Sequence, residues 1–243
     1  MSEQSRPQPI ELRGLTQSQI NTIAADIRVE TGSPDLLHPQ LHLKGSDDAF
    51  THSFVDGRLQ LREKEGDSTT VISGSNFKII STNRHDIVIS GSSIQIGGGN
   101  VFVSRDAGVV ISGDIQDAAR RRALLLLPKD HEASHDVSTT AGNVELKALT
   151  ARAIRVVSKS GDIALHGAEV GVANLKTMSG NVELSDVNAK SSVSAGTMSG
   201  DVGVSNGSAP LWLLRTMSGD VAVKGAQGEV EASTISGRTR ISQ

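Results

Sequence analysis

The chain has 243 residues, no cysteine, a net charge of −3 and 2% aromatic residues. The absence of cysteine excludes disulfides, thiolate metal sites and cysteine nucleophiles, and the negative net charge argues against a general affinity for nucleic acid. A core with one tryptophan and no tyrosine must be filled by aliphatic side chains, which suits a narrow coil of short strands.

Residues 1–14 show no apolar leader, and no apolar run approaches the roughly 18 residues of a membrane-spanning helix. We therefore predict a flexible tail over residues 1–14, a cytoplasmic location and no membrane insertion, with surface association left open. Residues 15–118 predict an irregular β region in which alternating apolar pairs are separated by turn residues. These pairs are Ile27 and Val29, Leu41 and Leu43, and Leu59 and Leu61.

A segment rich in Gly and Ser, residues 71–118, interrupts this region, and we interpret it as an insertion. Within it, GSSIQIGGGNVFV alternates β-branched residues with Ser and Gln and contains no charge and no proline. It resembles the core of the RIP homotypic interaction motif, in which short strands stack between chains. The same letters fit an ordinary strand within one chain, which we favour. The candidate interaction residues are Ile94, Gln95, Ile96 and Gly97.

The residues His131, Glu132 and His135 spell HExxH, the pattern of zinc proteases. That chemistry needs both histidines on one face of a helix, with the glutamate beside them as base. Pro128 shortly before the motif and a strand pattern shortly after it leave no room for such a helix. We therefore predict a solvated loop here and no metal site.

Residues 119–243 repeat one phrase six times, in forms such as TTAGNVEL, TMSGNVEL and TMSGDVAV. Mostly apolar residues stand two and four positions after the glycine of each copy, and a second pair lies seven and five positions before it. This alternation predicts two short strands and two corners per turn. It indicates an all-β solenoid with turns of about 19 residues, less regular in the N-terminal part. The corner glycines are Gly142, Gly161, Gly180, Gly200, Gly219 and Gly237.

The corner phrase TMSG leaves open which of its side chains face the core. A straight strand cannot point both the threonine and the methionine inward, so the chain must bend here. We expect methionine inside and threonine hydroxyls bonding along the stack. We interpret Asp162, Asp201 and Asp220, which follow corner glycines, as residues that bond their own backbone rather than as calcium ligands or catalytic acids. No catalytic, metal-binding or cofactor-binding residue is predicted.

Two features near the end of the sequence indicate a partner surface. In the run LWLL, the first and third residues point outward if the other two point inward, which leaves an apolar pair on a polar coil. These candidate interaction residues are Leu211 and Leu213. The phrase TISGRTRISQ continues the strand pattern to the last residue. Arg238 and Arg240 there either discourage pairing at the edge of this strand or lie against another copy of the chain.

Several stretches resemble a bacterial family of candidate adhesins, the domain of unknown function 4097, and its relative, the head domain of auto-transporter adhesins. They are LLLLPKDHEASHDVSTTAGNVEL, the TMSGDVxV units after it, and the front pattern IRVE, LHLKG and GRLQLRE. The resemblance covers roughly residues 10–70 and 120–243. It implies a right-handed parallel β-helix, no enzymatic activity and roles around the cell envelope.

We therefore interpret the chain as a non-enzymatic, adhesin-like scaffold without a cofactor. It is expected to self-associate, or to bind a protein partner, through solenoid ends or exposed strands. The alternative is a β-helix that binds or cleaves polysaccharide. Cleavage requires clustered carboxylates in a groove built by long loops, which short regular turns do not offer. A glycan ligand stays open, although exposed aromatic residues, on which solenoid proteins commonly bind sugars, are nearly missing.

Overall fold

A computed structural model describes residues 9–44, 49–64 and 121–242, together with the backbone of six strands between residues 70 and 112. The chain divides into two compact units, the first formed by residues 1–64 and 120–243 and the second by residues 65–119. Every regular element in the described parts is a β-strand.

The first unit begins with β1 (Ile10–Glu11), β2 (Gln17–Thr22), β3 (Asp26–Thr31), β4 (Gln40–Lys44), β5 (Phe50–Val55) and β6 (Arg58–Glu63). The second unit contains β7 (Thr70–Gly74), β8 (Phe77–Ser81), β9 (Ile87–Gly91), β10 (Gln95–Ile96), β11 (Gly99–Ser104) and β12 (Gly108–Ser112). The first unit continues with β13 (Arg122–Leu127), β14 (Glu132–Thr139), β15 (Val144–Lys147), β16 (Thr150–Ser160), β17 (Ile163–His166), β18 (Glu169–Ser179), β19 (Val182–Ser199), β20 (Val202–Ser218), β21 (Val221–Ser236) and β22 (Thr239–Ser242).

The second unit consists of two antiparallel sheets of three strands each in its described parts. Their strand orders are β7-β8-β9 and β10-β11-β12. The domain limits expected from the sequence, at residues 14, 71 and 118, stay a prediction.

The regular part of the first unit is a parallel stack of turns. In one ladder, β15, β17 and the first parts of β19, β20 and β21 pair in register. In the other ladder, β14, β16, β18 and the later parts of β19, β20 and β21 do the same. Neighbours on successive turns are Val144, Ile163, Val182, Val202 and Val221. The predicted β-solenoid, with turns of about 19 residues, is confirmed.

The predicted inward columns form the core of this stack. Side chains two and four residues after each corner glycine are buried in the first five copies, and only the last pair, Thr239 and Ile241, is exposed. Trp212 is fully buried, and its indole N–H donates to the Gln227 carbonyl oxygen at 3.0 Å. Burying one Val or Leu side chain contributes roughly 1.5–3 kcal/mol, so the repeated columns supply the main favourable term of folding.

Each regular turn has three faces, one more than the sequence pattern predicts. In β16, Ala151, Ile154 and Val156 are all buried. Because side chains of a straight strand alternate with a period of two, residues 151 and 154 both point inward only if the strand bends between them. Another corner follows the first strand of each turn, where Asp186 and Asn206 have positive φ angles of 54° and 57°.

The N-terminal strands enter the stack out of chain order. β2 lies between β6 and β14, and β3 lies between β13 and β15, all in parallel register. β4 pairs antiparallel with both β1 and β13, and β5 pairs antiparallel with β6. The turn formed by β2 and β3 is therefore enclosed by later parts of the chain, which makes the N-terminal turns less regular than the others.

The second unit lies in the chain between β6 and β13 of the first unit. Arg122 of β13 pairs with Asp26 of β3. The pairing of β2 with β6, extended by one residue, brings Glu63 beside Thr22. Three residues join β2 to β3 at a corner, whereas residues 64–121 separate their pairing partners β6 and β13 in the chain. The inserted segment therefore replaces a three-residue corner in the chain.

Replacing residues 64–121 with Met-Ser-Gly is expected to give a chain that folds as a continuous solenoid. Three residues suffice because the adjacent turn joins Thr22 to Asp26 with the same number. Circular dichroism and thermal unfolding would show retained β-structure and one cooperative transition. As a control, a single glycine in place of the same residues is too short for the corner and should cost stability. Equal behaviour of the two variants, or failure of both to fold, contradicts the assignment.

Candidate interaction surface

The threonines of the corner phrase point inward and hold successive turns together. Each hydroxyl donates to the carbonyl oxygen of the corner glycine one turn earlier, at 2.9–3.2 Å. The donors are Thr177, Thr197, Thr216 and Thr234. The expected hydroxyl bonding along the stack is confirmed.

The methionine column faces solvent, and the expectation of methionine inside is wrong. Met178, Met198 and Met217 are 51%, 47% and 48% exposed. The preceding threonine occupies the inward position because its hydroxyl reaches the glycine carbonyl there. The alternation of the strand then turns the next side chain outward.

The residues that follow the corner glycines, together with Asp26 after Ala25, form a second ladder along the same corner. Each side-chain Oδ1 atom accepts the backbone N–H of the equivalent residue one turn later, at 2.7–3.1 Å. The acceptors are Asp26, Asn143, Asp162, Asn181, Asp201 and Asp220. The prediction that the repeating aspartates bond backbone groups is confirmed, but these groups belong to the next turn and not to the aspartates' own backbone. Among the described residues, no three His, Asp or Glu side chains form a group that could hold a metal ion.

The corner glycines lie where neighbouring turns approach each other closely. At Gly200, φ is 147°, and a Cβ atom would lie 2.1 Å from the carbonyl oxygen of Gly180. At each of the six corner glycines, a Cβ atom would lie only 1.9–2.4 Å from a carbonyl oxygen of the adjacent turn. Any side chain here would push the turns apart.

A buried carboxylate, which the sequence interpretation missed, lies just before residues 65–119 in the chain and bonds Arg121, which lies just after them. The Glu63 Oε2 atom accepts the N–H groups of residues 23–25 at 2.7, 2.9 and 3.0 Å, and the Arg121 guanidinium donates to Oε1 at 2.9 Å. Burial by itself would raise the pKa of Glu63, but these hydrogen bonds outweigh it and lower the pKa. The signal in the sequence is the alternation of Leu59, Leu61 and Glu63, which puts the glutamate in an inward column.

The HExxH motif lies on an extended strand, and the prediction of a solvated loop is wrong. β14 begins at Glu132, and His135 is 1% exposed because it occupies an inward column, where its Nδ1 atom lies 2.8 Å from the Ser18 hydroxyl. Burial lowers the pKa of His135 to about 4, with a further contribution from His131. An extended strand does not offer the helical face on which a zinc protease presents this motif.

The last turn leaves an open strand edge. Among the described residues, no strand pairs with the far side of β22 or of the later part of β21. Ile241 on this edge is 47% exposed, and Val230 and Ala232 are half-buried. Outward charges on the two strands have opposite signs, with Arg238 and Arg240 at β22 and Glu229 and Glu231 on β21.

The predicted apolar pair lies on β20, next to this edge. Trp212 and Leu214 are fully buried, and Leu211 and Leu213 are half-buried on the outer face of the strand. Their cross-strand neighbours are Ser192 and Ser194 on one side and Glu229 and Glu231 on the other. The two leucines therefore form a small apolar strip between polar residues.

The segment IQIG falls in the second unit. Gln95 and Ile96 form β10, which pairs antiparallel with β11 of the same chain. Ile94 and Gly97 lie outside the described residues. A contact of these four residues with another chain stays a prediction.

A shallow trough of about 470 Å³ lies on the outer face of β19, β20, β21 and β22. Its floor forms where Gly203 and Ala222 take the place of larger outward side chains, and Glu183, Lys224 and Arg240 stand around it. No aromatic side chain lines the trough, so it offers no platform on which a sugar ring could stack.

The stacked turns and their corner ladders define a β-solenoid repeat protein. The sequence profile of the Toastrack family, DUF4097, matches residues 16–243, and the chain belongs to this family. No curated protein matched the chain. None of the described residues forms a helix that could span a membrane.

Two solved structures are similar to this chain. A candidate cell adhesion protein from Clostridium sporogenes aligns over 96% of both chains, with 11% identity and a TM-score of 0.41. A candidate adhesin from Bacteroides fragilis aligns over 96% of this chain and 95% of its own, with 14% identity and a TM-score of 0.34. Similarity at this level carries no inference about the activity of this chain.

Asp201→Leu is expected to lower the free energy of unfolding by about 1–2 kcal/mol, because it leaves the N–H of Asp220 without its acceptor. Asp201→Asn retains the Oδ1 acceptor and should change stability by less than about 0.5 kcal/mol. Amides already serve in this column at Asn143 and Asn181. Chemical denaturation of both variants measures the difference. Equal destabilisation by Asn and Leu would show that charge matters here and that the acceptor does not.

The buried neutral His135 predicts a loss of stability in mild acid. Its folded pKa of about 4 lies below the ordinary value of 6.5, so between these values the unfolded chain binds a proton that the folded chain does not. The free energy of unfolding should therefore fall by up to about 3 kcal/mol as the pH decreases from 6.5 to 4. Denaturation of the wild type and of His135→Leu at several pH values checks this, because the variant lacks this contribution. A His131→Gln control should retain most of the slope, and parallel pH profiles of wild type and His135→Leu would refute the assignment.

Proposed function

We propose that this Toastrack protein is a non-enzymatic, adhesin-like scaffold that self-associates through the C-terminal end of its solenoid. The observation that carries the proposal is the open edge of β21 and β22, where apolar columns of the core reach solvent. Unpaired strand edges with exposed apolar residues are templates for pairing with another chain.

The distribution of charge at this edge favours a second copy of the chain as the occupant. Arg240 lies on β22, on one face of the last turn, with Arg238 at the corner just before it, and Glu231 lies on the adjacent face. A twofold axis through the corner between the two faces exchanges them, so that β22 of each copy pairs antiparallel with β21 of the other. Opposite charges across such a pair are attractive, whereas like charges would repel.

The alternation of inward residues selects the register of this pairing. If Ile241 of one copy lies opposite Val230 of the other, both side chains join the apolar core. The same register places Arg240 beside Glu231 of the second copy, twice per dimer because of the symmetry. The half-buried Leu211 and Leu213 lie one strand away and would flank this contact.

A scaffold without enzymatic activity agrees with the chemistry of the repeat. Asp162, Asp201 and Asp220 accept backbone N–H groups, so their arrangement serves the corner. The trough beside Gly203 lacks the aromatic residues that would favour sugar binding over a protein contact.

Arg240→Glu and Glu231→Arg are each expected to weaken self-association at least tenfold, because each places like charges across the interface. The double variant carrying both changes should recover it, since the pair is restored with its sign reversed. Sedimentation velocity over a concentration series measures the association, and thermal unfolding verifies that each variant is folded. Arg155→Glu, which makes the same charge change away from the edge, is the matched control.

A wild-type chain that stays monomeric over the whole concentration series would overturn the proposal. So would single variants that associate like the wild type. Deleting residues 92–103 distinguishes the C-terminal edge from the IQIG segment. If this deletion abolishes association while Arg240→Glu does not, Ile94, Gln95, Ile96 and Gly97 carry the contact instead.

A further inference from the structure

We propose that Met178, Met198 and Met217 form a binding site for a soft monovalent metal ion, Cu(I), for which Ag(I) is a redox-stable substitute. The site lies on the outer side of the glycine corner and is separate from the edge of β21 and β22 at which self-association is proposed.

The register of the strands makes the three methionines direct neighbours. Thr177 pairs with Thr197 and Ser179 pairs with Ser199, so the methionines between them lie side by side, and the next turn continues the row. Neighbouring strands are about 4.8 Å apart. Three thioether groups therefore stand in one line, one on each of three successive turns.

The solenoid does not need methionine at this position. The same column holds Thr140, Lys159 and Ile235 in the other copies of the repeat, and all of these side chains are exposed. The chain has four methionines, of which one is Met1, and all others belong to this row. None serves in the core, where methionine usually fills irregular gaps. Packing thus does not account for the row.

The chemistry of the row selects the ligand. Thioether sulfur is a soft, neutral donor that favours Cu(I) over hard cations such as calcium and magnesium. A methionine side chain is unbranched and has three rotatable bonds, so the two outer sulfur atoms can lean toward an ion held at Met198. The chain has no cysteine, which leaves these thioethers as its soft ligands.

The corner fixes the backbone that carries the three side chains before an ion binds. On one side of the row, the threonine hydroxyls bond the glycine carbonyls, and on the other side the Asp and Asn ladder bonds successive turns. Lys159 bounds the row at one end and Ile235 at the other, so a single ion centred on Met198 is expected.

The competing role for such a row is an apolar contact with a protein partner. Leucine substitution separates the two roles, since leucine retains the apolar surface and removes the sulfur. The test is a titration of the full chain with Ag(I) nitrate in chloride-free buffer, followed by calorimetry and native mass spectrometry. We expect one ion per chain for the wild type.

Met198→Leu should lower the affinity for Ag(I) at least tenfold, and the triple variant with leucine at residues 178, 198 and 217 should lose the site. Met1 and all histidines remain in the triple variant, so they serve as the internal control. In spectra of chains labelled at the methionine methyl groups, three signals should shift together with one equivalent of Ag(I), while that of Met1 stays in place. Ile235→Met lengthens the row and should increase the binding.

Absence of Ag(I) binding by the wild type overturns the proposal, and so does equal binding by wild type and triple variant. Thermal unfolding of each variant verifies that lost binding does not reflect lost structure. The titration is repeated on Arg240→Glu, in which the proposed self-association is weakened. Because the methionine row is intact in this variant, unchanged binding there keeps the metal site independent of the scaffold proposal.

Discussion

The close approach of successive turns at the glycine corner is the constraint on which the rest of this structure depends. A Cβ atom at these glycines would lie only 1.9–2.4 Å from a carbonyl oxygen of the adjacent turn. Threonine hydroxyls donate to the glycine carbonyl oxygens on one side of this contact, and on the other side Asn or Asp Oδ1 atoms accept backbone N–H groups of the next turn. A slip of one residue would break both ladders and turn the buried columns to solvent. The corner therefore determines how every apolar column packs.

The two ends of the ladder differ in chemistry. Toward the N-terminal turns, the Glu63 carboxylate accepts three backbone N–H groups and the Arg121 guanidinium, and antiparallel strands lie against the stack. At the other end, Arg238 occupies the ladder position. An arginine side chain only donates hydrogen bonds, so it offers no acceptor to a following turn. This asymmetry leaves the edge of β21 and β22 as the surface at which association is proposed.

Positions that stacking does not use are free to carry function. The side chain after each corner threonine points to solvent, and three consecutive turns place methionine there. Because the register aligns equivalent residues on neighbouring turns, any side chain chosen at this position becomes a row. In a solenoid, one residue type repeated at the same position of successive turns therefore forms a row of side chains, and such a row needs neither long loops nor a deep pocket.

The sequence by itself determined the length of the turn, the inward columns on both sides of the glycine and the fact that the repeating aspartates bond backbone groups. These depend on alternation and on repetition, which are local properties. Whether threonine or methionine faces the core was decided by a carbonyl oxygen one turn away. The enclosure of β2 and β3 by later strands also required the tertiary structure. So did the role of Glu63, whose backbone partners lie 38–40 residues earlier and whose partner Arg121 lies 58 residues later. A periodic pattern specifies which side of a strand is buried, but only the assembled stack specifies which distant groups meet there.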